Sequence, residues 1–163
     1  MNKMTRIFLI SFLCLGLGGL LLSLTDVKLP ENMKEFRHVN TLVVPDKESP
    51  IHGIHHFYLS ETGMETFMSM EEGKTYPNGT VFIGKVFKVT ETDEGRYKEG
   101  DMAGITMMRK DSGSEMTKDT GGWHFVMFSP KGEAKDIDPV KACFQCHKPH
   151  EESDFVLSKP LGK

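Results

Sequence analysis

The sequence predicts an α+β protein, mainly an antiparallel β-sheet with a few short helices. Three observations support this fold class. Short apolar runs rich in β-branched and aromatic residues alternate with turn residues, one segment has helical periodicity, and a Cys-x-x-Cys-His motif near the C-terminus follows a helix-start signal. Because strands joined by turns and short loops pair in an antiparallel manner, we expect one sheet with the helices packed against one of its faces.

Five segments have the composition of strands, and each is bounded by turn or loop residues. Tyr76–Gly79 is a turn before the strongest of them, and a charged loop is expected at 90–101. The predicted strands are His38–Val44, Ile51–Leu59, Thr80–Val89, Gly104–Arg109 and Trp123–Phe128.

Two segments are predicted to be helical. Thr62–Glu65 resembles a capping box, and apolar residues then recur at helical spacing, which predicts an amphipathic helix over 63–72. Asp138 can act as the N-cap of a second helix and Pro139 suits its first position, so a short helix is predicted over 139–148. This second helix carries the cysteine motif.

The motif Cys143-x-x-Cys146-His147 is the attachment signature of a c-type haem. Two thiols at this spacing can add to the two vinyl groups on one porphyrin edge, and the next histidine can ligate the iron from the proximal side. We therefore predict a C-terminal haem-binding helix that carries one covalently attached haem c. A redox or structural disulfide and a His-assisted metal site are the alternatives, although Cys14 lies in an apolar leader and cannot complete a four-ligand cluster.

Residues 1–24 are predicted to be a signal peptide or a signal anchor. A basic start with Lys3 and Arg6 precedes an uncharged apolar run. No clean cleavage site follows, so the domain is expected to be either soluble after cleavage or tethered by an N-terminal membrane helix. The leading positive charges place the rest of the chain outside the cytoplasm. A periplasmic or other extracytoplasmic location agrees with covalent haem attachment, which in bacteria generally occurs there.

The remaining chain reads as one acidic domain. Without residues 1–24 it has 18 basic and 23 acidic side chains, a formal charge of −5, which argues against a nucleic-acid partner. Residues 25–36 are predicted to be a polar linker, and 37–163 to be a single haem domain.

Side chains that could lie near the haem are found on two predicted strands. His52, His55 and His56 stand beside aromatic residues, and alternation puts His55 on the same face as Phe57. One histidine could be a second axial ligand, but hydrogen-bonding or surface histidines are the favoured interpretation. A methionine is the other candidate sixth ligand, against the usual core role of methionines at helical spacing. Gly84, inside a strand, indicates close approach by a backbone or a ligand.

Several motifs in order then suggest a family. The late haem motif is followed by Asp154–Ser158 and preceded by Tyr76–Val81 and Gly122–Phe125. Together they resemble the cytochrome P-460 family, which includes the cytochromes c′-beta, over residues 37–160. The resemblance implies a mainly antiparallel sheet, often a homodimer, with a five-coordinate haem c whose proximal ligand is His147. The vacant side of such an iron meets nitric oxide, carbon monoxide or hydroxylamine.

The chain departs from the hydroxylamine-oxidising members of this family at two places. These members carry a lysine bond to the porphyrin, but the matching position here is Gly84, and Lys85 points to the other face of the strand. A bulge could bring Lys85 back, although a solvent-facing lysine is favoured. Thr106–Met108 stands where a distal carboxylate is expected, so the proton acceptor is missing. The resemblance then favours the c′-beta branch, with an apolar distal wall for which Phe82 is the first candidate and Phe57 the second, each with ordinary core packing as the alternative.

Three functions follow from these observations. The first is an exported haem protein that binds nitric oxide or a related small nitrogen oxide or diatomic gas, with a redox partner protein. The second is a hydroxylamine or nitric oxide oxidoreductase with a haem modified by Lys85. The third is a six-coordinate electron carrier.

Overall fold

The computed structural model describes residues 27–69 and 71–160, and it confirms the predicted α+β class. Five antiparallel strands form one sheet in chain order. Each strand therefore lies beside the strand that precedes it, joined by a hairpin or by a longer connection. The strands are β1 (Arg37–Val44), β2 (Gly53–Leu59), β3 (Val81–Glu91), β4 (Tyr97–Lys110) and β5 (Trp123–Phe128).

The helical elements are short. Helix α1 (Glu61–Ser69) connects β2 to β3, and helix α2 (Gln145–His147) follows a π-helical turn, Val140–Phe144. The remaining helical turns are 3₁₀ turns at Met33–Glu35, Glu115–Thr120 and Lys148–Ser153. In the part of the chain that the structure describes, no helix is long and apolar enough to cross a membrane. The predicted signal peptide or anchor, residues 1–24, lies outside the described residues.

Helix α1 differs from its predicted span of 63–72. It begins two residues earlier, at Glu61, and residues 71 and 72 lie outside any helix. Gly63 is buried, and a Cβ there would meet the side chains of Thr80 and Leu59. The close contact at Gly63 allows the first turn of α1 to lie directly against the sheet, which is a tertiary effect that local periodicity does not report.

The predicted loop at 90–101 is wrong at both ends, because residues 90 and 91 belong to β3 and residues 97–101 belong to β4. Strand β4 begins at Tyr97 and pairs with the end of β3, where Glu91 lies opposite Tyr97 and Val89 lies opposite Glu99. All five residues from 97 to 101 are exposed. Because this end of the hairpin covers no core, its sequence has no apolar alternation from which a strand could be predicted.

The two faces of the sheet cover two separate apolar clusters. The inner face packs against α1 and the C-terminal segment, which we define as residues 138–156, and the outer face packs against residues 27–36. The inner cluster contains Val39, Leu59, Phe67, Tyr76, Phe82, Trp123, Phe125, Phe144 and Val156. The outer cluster contains Val81, Ile83, Ile105, Met107 and Phe128.

Residues 27–36 were predicted to be part of a polar linker, and the structure instead packs them on the sheet. Val27, Leu29, Met33 and Phe36 lie against the outer cluster. These four apolar side chains are separated by polar residues, so the segment resembles a linker in composition while it covers one face of the sheet.

The inner cluster predicts a large difference between two leucine substitutions. Leu59→Ala should lower the free energy of unfolding by about 2–5 kcal/mol, since Leu59 is 0% exposed and its removal leaves a cavity. Leu42→Ala, at a side chain that is 42% exposed, should change it by less than about 0.5 kcal/mol. Urea denaturation measures both variants, and equal losses would contradict the assignment of the core.

Candidate functional site

The Asp138 side chain starts the C-terminal segment, as its sequence position predicted. Its Oδ1 accepts hydrogen bonds from the backbone N–H groups of Val140 at 3.0 Å and Lys141 at 3.2 Å. The bond from the Lys141 N–H is the main reason why the pKa of the Asp138 carboxyl is lowered. This cap fixes the residue at which the helical turns begin. It therefore also fixes which of the following side chains face the sheet.

Phe144, between the two cysteines, anchors the motif to the sheet. It is buried in the inner cluster, with its ring centroid 6.1 Å from that of Phe125 and 5.2 Å from that of Phe155. With Phe144 turned inward, Cys143 is half-buried beside the inner cluster and Cys146 is exposed. The two cysteines are not joined in a disulfide.

The environment of the Cys143 thiol does not suit a redox disulfide. Burial, followed by the neighbouring Cys146, raises the pKa of Cys143 to about 11. Redox-active Cys-x-x-Cys pairs depend on a lowered thiol pKa, because the thiolate is the nucleophile.

Among residues 27–69 and 71–160, no group of three or more His, Cys, Asp or Glu side chains is arranged to hold a metal ion.

His147 is prepared to act as a ligand through its Nε2 atom. Its Nδ1 lies 2.7 Å from the carbonyl oxygen of Phe155, and since a carbonyl can only accept, Nδ1 carries the proton. Burial lowers the pKa of the imidazole, against the opposing effect of that hydrogen bond. A neutral ring with Nδ1 protonated leaves the Nε2 lone pair for a metal, and a backbone carbonyl is a common partner of ligating histidines. The free thiols and this tautomer fit a c-type haem.

The inner face of β3 has no side chain at the position where the resemblance places a cross-linking lysine. Gly84 lies on this face, and a Cβ there would collide with the Thr106 hydroxyl and approach the Phe57 ring at 3.2 Å. Lys85 lies on the outer face, where its Nζ is 4.8 Å from the centroid of the Tyr58 ring. No bulge interrupts the pairing from Val81 to Val86, so the alternation that predicted the outward direction of Lys85 is maintained.

The two candidate phenylalanines have different surroundings. Phe82 is 5% exposed, and its ring is enclosed by those of Phe67, Tyr76 and Trp123 at centroid distances of 6.1, 5.5 and 6.1 Å. Phe57 is only half-buried and lies over Gly84. Phe82 therefore has the packing of a core residue, and Phe57 has the partial exposure that a pocket wall requires.

The three histidines of the β2 region are engaged in different ways. His56 lies on the outer face, with Nε2 2.6 Å from Glu99 and Nδ1 2.9 Å from the Thr41 hydroxyl. His55 is buried on the inner face, stacked on Phe57, with Nε2 2.8 Å from the carbonyl oxygen of Ile51. Nδ1 of His52 is buried and has no hydrogen-bond partner in the described structure. Hydrogen bonding accounts for His55 and His56, as the favoured interpretation of the sequence expected.

Asp154 is the only acidic residue that is buried in the described part of the chain, and it is paired with Lys110. The two side chains meet at 2.6 Å where the C-terminal segment crosses the end of β4.

Thr106 and Met108 point from β4 to the inner face, as their pairing with Gly84 and Phe82 requires. These two positions of β4 therefore present a hydroxyl and a thioether where a carboxylate would have to stand to act as a distal proton acceptor.

Comparison with known families agrees with this site. The family model described as cytochrome P460 matches residues 30–158. The chain belongs to the cytochrome P460 family. Membership implies a haem cofactor for this cytochrome, and the unpaired thiols and the free Nε2 of the motif are suited to one. No curated protein matches the sequence.

The sequence analysis gave no role at the site to Phe125, Phe155 or Lys110. Phe125 contacts the His147 ring at a centroid distance of 4.9 Å, and the carbonyl of Phe155 orients that ring through its hydrogen bond to Nδ1. Lys110 reads as the charged end of a strand, yet it is buried. The only signal for Lys110 is its place directly after an apolar strand, and charged residues at strand ends are usually exposed.

The close approach of Gly121 to Phe155 predicts a specific cost. Both Gly121 and Gly95 have a left-handed backbone, with φ of 64° and 72°. A Cβ at Gly121 would collide with the Phe155 ring, whereas nothing lies within 4 Å of one at Gly95. Gly95→Ala should therefore lose about 1 kcal/mol of unfolding free energy for the backbone alone. Gly121→Ala should lose clearly more in the same urea titration, and equal losses would show that Phe155 does not pack there.

Proposed function

We propose that this cytochrome holds one haem c through Cys143 and Cys146, ligates its iron with His147, and binds nitric oxide or a related diatomic gas on the other side of the iron. The observation that carries the proposal is the state of His147. Its Nδ1 proton is engaged by the Phe155 carbonyl at 2.7 Å, which leaves Nε2 as a fixed donor next to two free thiols. When bound, the haem supplies an iron with an open coordination position.

The inner face supports gas binding more than oxidation of hydroxylamine. Phe57 lies over Gly84, with the Thr106 hydroxyl beside it, so this part of the inner face is mainly apolar. Opposite Gly84 and Phe82, strand β4 carries Thr106 and Met108 and not a carboxylate, and Lys85 lies on the outer face against Tyr58. Such a surface disfavours water and anions and admits small uncharged molecules, and the hydroxyl and thioether that β4 adds to it are poor proton acceptors. Binding without turnover is the function that these residues favour.

Electron supply from a redox partner protein is part of the proposal. Cys146 is exposed, which would bring one edge of an attached haem to the surface. A partner could reduce the iron through this edge without entering the pocket. We also propose that the domain works outside the cytoplasm, in the periplasm or an equivalent compartment, as the apolar leader at residues 1–24 suggests.

The spectrum of the reduced protein tests gas binding. We expect a five-coordinate high-spin ferrous haem that takes up both nitric oxide and carbon monoxide, because His55 and His56 are engaged in other hydrogen bonds and Phe57 covers Gly84. Absorption and resonance Raman spectra before and after gas addition measure this. A low-spin spectrum that carbon monoxide does not change would instead indicate a methionine or histidine ligand and an electron carrier.

Mass spectrometry of the denatured protein tests the oxidoreductase alternative. The haem should be attached through Cys143 and Cys146 alone. After proteolysis, the haem-bearing peptide that contains these cysteines should have the same mass in Lys85→Met as in the unmodified protein. Lys88→Met, at an exposed position on the same strand, is the matched control. A bond from Lys85 to the porphyrin, lost in Lys85→Met and kept in Lys88→Met, would contradict gas binding as the sole function.

A further inference from the structure

A buried ion pair joins the sheet to the C-terminal segment just beyond the motif. Nζ of Lys110 lies 2.6 Å from Oδ1 of Asp154, and the two side chains are only 4% and 5% exposed. The same Nζ donates to the carbonyl oxygen of Gly121 at 3.1 Å and lies 4.9 Å from the centroid of the Trp123 ring. Because an unpaired charge in such a place is strongly unfavourable, each partner fixes the other.

The other two oxygen atoms of Asp154 also accept hydrogen bonds. Its Oδ2 accepts the backbone N–H of Tyr76 at 2.8 Å, and its carbonyl oxygen accepts the indole N–H of Trp123 at 2.9 Å. The backbone of Asp154 is left-handed, with φ of 51°, and that of Phe155 is left-handed as well, with φ of 65°. Consecutive non-glycine residues in this region are unfavourable, and they persist where surrounding contacts determine the conformation.

The conformation of these two residues sets the direction of one carbonyl group. The carbonyl of Phe155 accepts the Nδ1 proton of His147 at 2.7 Å. Its direction depends on the backbone angles of Asp154 and Phe155, so the ion pair acts on the imidazole through it. The hydrogen bond at Nδ1 controls both the orientation of a ligating histidine and the donor strength of its Nε2.

We propose that Lys110 and Asp154 are positioning residues for the proximal ligand. Through the Phe155 carbonyl, they fix the orientation of His147 and the strength with which it donates to the iron. This inference rests on the proposed function, in which His147 ligates a haem. It adds a coupling between a buried ion pair at the end of β4 and the electronic properties of the iron.

The test uses the haem-loaded protein and two single variants. Asp154→Asn keeps an oxygen for the Tyr76 N–H and tolerates a left-handed backbone, but it removes the negative charge. Lys110→Met keeps an unbranched apolar stem and removes the positive charge. In both, the hydrogen bond to His147 should weaken. The ferrous iron–histidine stretching band should then shift to lower frequency, and the reduction potential should rise because the histidine is a weaker donor.

Matched controls use an exposed ion pair. Lys118 and Glu115 lie 3.3 Å apart, with side chains that are 65% and 91% exposed. Lys118→Met and Glu115→Gln make similar changes in charge and should leave the iron–histidine band unchanged. Lys110→Arg keeps the cation, and its band should lie closer to that of the unmodified protein than the band of Lys110→Met does.

Loss of stability in a single variant does not prevent the test. If the unpaired charge stops a variant from folding, the double variant Lys110→Met with Asp154→Asn removes both charges and avoids that cost. A folded variant with an unchanged iron–histidine band and an unchanged potential would overturn the inference. Absence of the band from the unmodified protein would instead count against the proposed function, so the two failures are distinguishable.

Discussion

The buried ion pair between Lys110 and Asp154 is the interaction on which the geometry of the site depends. The C-terminal segment consists of a π-helical turn, a single turn of α-helix and a 3₁₀ turn, and helices this short have little stability of their own. It is held on the sheet by Phe144 at one end and by Asp154 at the other. Removing one partner of such a pair typically costs about 3–5 kcal/mol, a large share of the stability of a domain of this size.

The two faces of the sheet separate the functional groups of this cytochrome. One-residue alternation puts Gly84 on the inner face and Lys85 on the outer face, where Lys85 contacts Tyr58. A shift of one residue in the pairing of β3 would put Lys85 on the inner face and Gly84 on the outer face, and would change the chemistry of the inner face. The regular pairing of β3 with both of its neighbours in this region keeps the register fixed. The side chain missing from the inner face at Gly84 and the outward position of Lys85 therefore have the same structural origin.

Much of the fold and the centre of the site could be predicted from the sequence, because the signals are local. Apolar runs rich in β-branched and aromatic residues located the strands, and the cap at Asp138 located the start of the motif segment. The second half of the 90–101 loop could not be predicted as strand, because an exposed hairpin end has no apolar pattern. The Lys110–Asp154 pair joins residues that are 44 positions apart. No local pattern distinguishes this buried lysine from the exposed ones.

The most direct test of the account is extraction of the purified protein with acidified organic solvent. If Cys143 and Cys146 hold the porphyrin by thioether bonds, the colour should stay with the polypeptide, and alanine in place of both cysteines should release it. A colourless protein, or pigment that passes from the unmodified protein into the organic phase, would contradict the account.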